Sequence, residues 1–113
     1  MHLYSILDKG SFAAALSISE QALHWRRDQE SPEQFIYQAA FAERYGKKTR
    51  QVSGGASLRW YYWQVVLYEN YQAGVMDLAA CRAYREEMLK PANMLARLSP
   101  VNATAELEEA CHA

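Results

Sequence analysis

The sequence predicts an all-α fold: a single small domain, residues 1–113, of four to five helices around a central aromatic-rich helix at Ser57–Gly74. Three observations lead there. The stretch SLRWYYWQVVLYENYQAG holds two of the three tryptophans and four of the eight tyrosines. At about 100° per residue, Trp60, Trp63, Leu67 and Tyr71 fall on one line, and Leu58, Tyr61, Tyr62, Val65 and Tyr68 on the opposite side. Helix-start signals precede two other segments, Ser31-Pro32-Glu33-Gln34 and Asp77-Leu78. Finally, a strand over YYWQVVLY suits residues that favour sheets. However, Glu69, Asn70 and Gln72 continue the helical period, and no hairpin partner lies nearby.

Taken in order, residues 1–10 carry an apolar patch (Leu3, Tyr4, Ile6, Leu7) closed by the turn Asp8-Lys9-Gly10. The patch reads as an arm, packed as a lid on the core or reaching another subunit. A first helix is expected from about Phe12 to Gln29, capped by Ser11. Ser17-Ile18-Ser19-Glu20 matches a capping box, so the helix begins or kinks there as an alternative. Phe12, Leu16 and Leu23 share one face; Ile18, Ala22 and Trp25 share the other. Ser31 caps a second helix that Gly46 stops, with Phe35, Ala39 and Ala42 on one line and Ile36 and Ala40 on another. Its alanines leave room for the Trp60–Trp63–Leu67–Tyr71 stripe.

Lys47–Gly55 reads as a basic loop, and the central helix follows, stopped by Gly74. Asp77 caps a fourth helix over Leu78–Lys90, with Leu78, Cys81, Tyr84 and Met88 on its apolar side. Pro91 ends that helix or opens a further turn carrying Met94, Leu95 and Leu98. Residues 100–113 form a weakly packed tail, with a last helix over Ala103–Ala110.

A chain of 113 residues supports one domain, and 50% hydrophobic with 22% charged residues is a globular composition. The net charge of −1 provides no general attraction for nucleic acid or anionic lipid. Two cysteines, Cys81 and Cys111, make no disulfide framework. The opening MHLYSILDKG does not read as a signal peptide, lacking a basic region and a long enough apolar run, and no apolar run reaches the roughly 18 residues of a membrane helix. The expectation is a cytoplasmic protein with reduced thiols.

His2, His24, His112, Cys81 and Cys111 lack zinc or di-iron spacings, so no metal or other cofactor is expected. His24, the one internal histidine, has no nucleophile and orienting acid at a telling spacing. Glu86-Glu87 and Glu106/Glu108-Glu109 read as solvated charge. Gly54-Gly55 lacks the phosphate-loop context. The chain therefore reads as no enzyme. Lys47, Lys48, Arg50 and Arg59 beside aromatic rings make nucleic-acid binding an alternative, opposed by the overall charge.

What remains is a protein-interaction reading. The stripe Leu58, Tyr61, Tyr62, Val65 and Tyr68 is Tyr-rich and bordered by polar residues, which suits a surface covered by a partner. MHLYSILDKGSF and RWYYWQVVLYENY, with the overall size and helical pattern, resemble the small bacterial quorum-sensing antiactivators. That resemblance implies a cytoplasmic homodimer that binds the ligand-binding domain of a LuxR-type transcription regulator. Binding breaks the regulator's dimer and prevents DNA binding. An inhibitor of another complex, phage or host, belongs to the same interaction class.

Overall fold

Tyr61 and Tyr62 divide the region expected as one long helix. The computed structural model of the chain describes residues 2–44 and 56–98. Within it β3 (Ala56–Tyr61) is extended, and α4 (Tyr62–Gln72) begins at the next residue. The fold is therefore mixed α and β rather than all-α. Among the described residues, β1 (Ile6–Leu7), β2 (Phe41–Arg44) and β3 form an antiparallel sheet in the order β1-β3-β2. Ile6 pairs with Tyr61 and Leu7 with Trp60; Phe41 pairs with Arg59 and Ala42 with Leu58.

The physical reason lies in the alternation of 57–61. On a strand Leu58 and Trp60 face one way, and Ser57, Arg59 and Tyr61 the other. Both apolar sets find cover. Trp60 is fully buried and stacks on Phe12 of α1 (Lys9–Ala15), centroids 5.1 Å apart and planes within 10°. Tyr61 packs edge-on against Tyr4 at 5.3 Å and tilted against Phe41 at 5.4 Å. One of the strand's partners comes from the far N-terminal segment, which a search for a local hairpin does not reach.

That N-terminal segment is also built into the fold. Tyr4 is buried, and its hydroxyl donates to the Met88 carbonyl at 2.8 Å. The first N–H groups of α4, which have no partner inside the helix, donate to Ser5 O at 2.9 Å (from Tyr62) and Leu3 O at 2.8 Å (from Trp63). Gln64 completes the start. It is 1% exposed; its Oε1 accepts from Tyr61 N–H and its Nε2 donates to Gln38 O, both at 2.9 Å. The helix stops where expected, in a Schellman turn with Gly74 at φ +76°, Gly74 N–H on Tyr71 O and Val75 N–H on Asn70 O.

The expected first helix is two, α1 and α2 (Glu20–Asp28); the box read at Ser17–Glu20 would make Ser17 the cap, but Ser17 closes α1 instead. Ser19 is the N-cap of α2, accepting from Ala22 N–H at 3.0 Å. α1 closes in a Schellman turn without glycine: Ile18 N–H donates to Ala13 O and Ser17 N–H to Ala14 O. Ser17 sits at φ 60°, a region that costs an L-residue about 1–2 kcal/mol. Ser17→Gly should raise the urea unfolding free energy by about 0.5–1 kcal/mol, after glycine's larger unfolded-state entropy is deducted.

The second expected helix is cut to one turn, α3 (Gln34–Tyr37). Its next carbonyls are taken by tertiary donors. Trp60 Nε1–H donates to Tyr37 O at 3.0 Å, Gln64 to Gln38 O, and Arg85 to Ala39 O at 3.2 Å. Ala40 N–H then donates to Arg59 O, and the chain continues as β2. The Trp60 ring stacks on Phe12, and Ala42, expected to seat it on a helix, pairs with Leu58 on a strand.

α5 (Leu78–Met88) matches its expected position, with Asp77 Oδ1 accepting from Ala80 N–H at 2.8 Å and Cys81 buried. α6 (Pro91–Leu98) takes up the alternative in which Pro91 opens a further helix. Among the described residues no helix is long and apolar enough to cross a membrane. The loop at Lys47–Gly55 and the tail helix at Ala103–Ala110 lie outside the described residues.

Candidate protein-binding face

The stripe Leu58, Tyr61, Tyr62, Val65 and Tyr68 does not exist as one face. Leu58 and Tyr61 lie on opposite sides of β3, and the other three are on α4. Tyr61 and Val65 are core, 8% and 1% exposed. Leu58, Tyr62 and Tyr68 are half-buried against that core, Tyr68 edge-on to Tyr37 at 6.1 Å. The periodicity that joined these five assumed one helix through Tyr61, and the strand breaks it. Burial pushes the Tyr61 hydroxyl pKa up.

Of the cations read as a nucleic-acid patch, Lys47, Lys48 and Arg50 lie outside the described residues. Arg59 is committed to Glu43, 3.1 Å away across the β2–β3 pair. His24 is exposed, with Nε2 3.2 Å from Asp28 and Nδ1 2.9 Å from Arg27. Glu87 pairs with Lys90 at 2.8 Å, and that Lys90 hydrogen bond, with one from Asn93, holds its carboxyl below the usual range.

The exposed aromatic surface is elsewhere, on α2. Leu23 anchors this helix and is fully buried; Trp25, two residues on and about 200° round the helix, is 60% exposed. The sequence reading had Trp25 on a second apolar face with Ile18 and Ala22. Its position opposite the anchor Leu23, among His24, Arg26, Arg27 and Asp28, is the signal that marks it as surface. Trp25 forms a shared wall of two recesses. One, about 540 Å³, runs along α2 past Ala22 and His24. The other, about 390 Å³, reaches Tyr37 and Tyr71, with Gln29, Glu33 and Gln72 at its rim.

The second recess is held together by its own polar contacts. The Arg26 guanidinium lies over the Tyr37 ring, 5.5 Å from its centroid, and reaches the Tyr37 hydroxyl at 3.5 Å. Tyr71 donates to Glu33 Oε1 at 3.3 Å. Burial raises both tyrosine pKa values, and the Glu33 carboxylate adds to the rise at Tyr71. On the far side of α3, Arg82 packs over Phe35 at 4.3 Å. A standing tryptophan beside tyrosines and an arginine is the composition of binding hot spots.

A third recess, lined by Asp8, Glu20, Arg27 and Arg59 among others, is charged in both signs. Its arginines already pair with Asp28 and Glu43. Asp8 caps α1, and its hydrogen bond from Ser11 N–H holds the carboxyl below the usual carboxylate range.

Compared with known proteins, the chain matches no family model, no curated protein and no solved structure.

Proposed function

We propose that the chain is a non-enzymatic, protein-binding inhibitor whose contact face centres on Trp25. Its target is a LuxR-type transcription regulator, which it prevents from dimerising and from binding DNA. The observation that carries the binding reading is the one large aromatic ring left in water among the described residues: Trp25 is 60% exposed, whereas Trp60 and Trp63 are fully buried. Exposing an indole forgoes hydrophobic stabilisation, and a partner that covers it recovers that energy. The identity of the target comes from the resemblance of MHLYSILDKGSF and RWYYWQVVLYENY to the quorum-sensing antiactivators of the QslA type. On the same ground the protein acts in the cytoplasm, as a homodimer.

The test is a competition measurement with the purified regulator and its operator DNA. The wild-type chain is expected to remove the regulator from DNA. Trp25→Ala should weaken this by about 2 kcal/mol or more, some thirtyfold in concentration, while far-UV circular dichroism stays unchanged. If the variant inhibits as well as the wild type, Trp25 is not the contact. If the wild type leaves the regulator on DNA, the target is wrong.

A further inference from the structure

We propose that the recess between Trp25, Tyr37 and Tyr71 takes an extended, proline-bearing polypeptide segment that sets a carboxylate against Arg26. This rests on the reading of the Trp25 face as a protein-binding face, and specifies what enters it.

At about 390 Å³ the recess is at the small end of ligand sites, which suits one or two side chains of an extended segment better than the roughly 10 Å cylinder of a whole helix. Its walls are rings, but among the described residues neither Tyr37 nor Tyr71 stacks on Trp25. The gap between them suits flat, rigid prolyl rings, which aromatic-lined grooves grip in the polyproline conformation.

The rim chemistry points the same way. A helical ligand has satisfied its own backbone, whereas an extended one presents bare carbonyls. The side-chain amides of Gln29 and Gln72 have no hydrogen-bond partner among the described residues, and both line the recess. The Tyr37 hydroxyl accepts from Arg26 and keeps its own proton to donate. Proline offers carbonyls without N–H groups, and this rim offers donors.

Charge selects the carboxylate. Arg26 makes no ion pair among the described residues; the Tyr37 ring and hydroxyl are its contacts. The acid of the recess, Glu33, is engaged by the Tyr71 hydroxyl. A guanidinium oriented over a ring and lacking an anion is prepared for a carboxylate.

The test uses a synthetic peptide of repeated Pro-Pro-Glu triplets, its Pro-Pro-Gln counterpart, and an alanine-rich helical peptide of equal length. Acrylamide quenching reads Trp25 selectively, because Trp60 and Trp63 are fully buried. The Pro-Pro-Glu peptide is expected to protect Trp25 saturably, and Tyr71→Ala to weaken it about tenfold. Arg26→Gln should weaken the Glu peptide alone and leave the Gln peptide unchanged, a pattern that a loss of fold does not produce. No saturable protection at millimolar peptide, or equal protection by the helical peptide, overturns the proposal. If the regulator still binds through Trp25 while the peptide does not, this inference alone falls. If the peptide binds and the regulator does not, the groove stands and the regulator reading falls.

Discussion

Trp60→Ala is expected to lower the unfolding free energy by about 3–5 kcal/mol, the range for removing a large buried ring. Several contacts go with it. The stack on Phe12 is lost, β3 loses its inward anchor, and the Tyr37 carbonyl loses the indole N–H that holds it at 3.0 Å. A domain of this size has roughly 5–15 kcal/mol in total, so the variant sits near its threshold. The paired phenylalanine substitutions separate ring from hydrogen bond. Trp60→Phe orphans a buried carbonyl at about 1–3 kcal/mol. Trp63→Phe removes an indole N–H that is buried without an acceptor, so its cost is from volume alone. Urea unfolding should therefore rank Trp60→Phe as the more damaging. The reverse order would show that the Tyr37 contact contributes little.

Gln64→Leu is expected to cost about 2–5 kcal/mol in the same measurement, although shape and volume are nearly kept. Two groups lose their partner together: the buried Tyr61 N–H, at roughly 1–3 kcal/mol, and the part-buried Gln38 C=O, at the low end of the same range. Gln64→Glu keeps the acceptor and loses the donor. Burial raises the folded-state pKa of such a carboxyl, so that variant should gain stability as the pH falls and the group takes up a proton. A leucine variant as stable as wild type would mean that α4 does not depend on this bridge.

Both predictions sit where local reading and tertiary structure disagree. The cap at Asp77, the stop at Gly74 and the helix over Leu78 were legible, because each is set by residues within one or two turns. Phe12, Leu16 and Leu23 are buried as read, although the helix expected to carry all three is broken at Ser17 and α2 takes Ser19 as its cap. The sheet was not. SLRWY alternates as well as it spirals, and the choice is made by the N-terminal segment and by Phe41, which no local window contains. The alanine-rich segment after Tyr37 has good helix propensity, yet donors from Trp60, Gln64 and Arg85 take its carbonyls one after another. The candidate site failed with the helix. A stripe of Leu58, Tyr61, Tyr62, Val65 and Tyr68 needs a single period through Tyr61, and once the period changes there, Tyr61 and Val65 are core. Trp25 was visible in the sequence, but only the break at Ser17 and the burial of Leu23 show that it faces water.

The capping of α4 by Ser5 and Leu3 has a consequence for how the chain is made. During synthesis, residues 3–7 leave the ribosome about fifty positions ahead of Trp60–Trp63, the residues that receive them. Until then α1 and α2 can form, but the central strand and the start of α4 have no partner, and Phe12 has no indole to stack on. The fold therefore closes late and at long range, in one step that joins both ends of this contact. A nascent chain stalled before Trp60 emerges should be open to protease throughout, and one stalled after α5 should resist it.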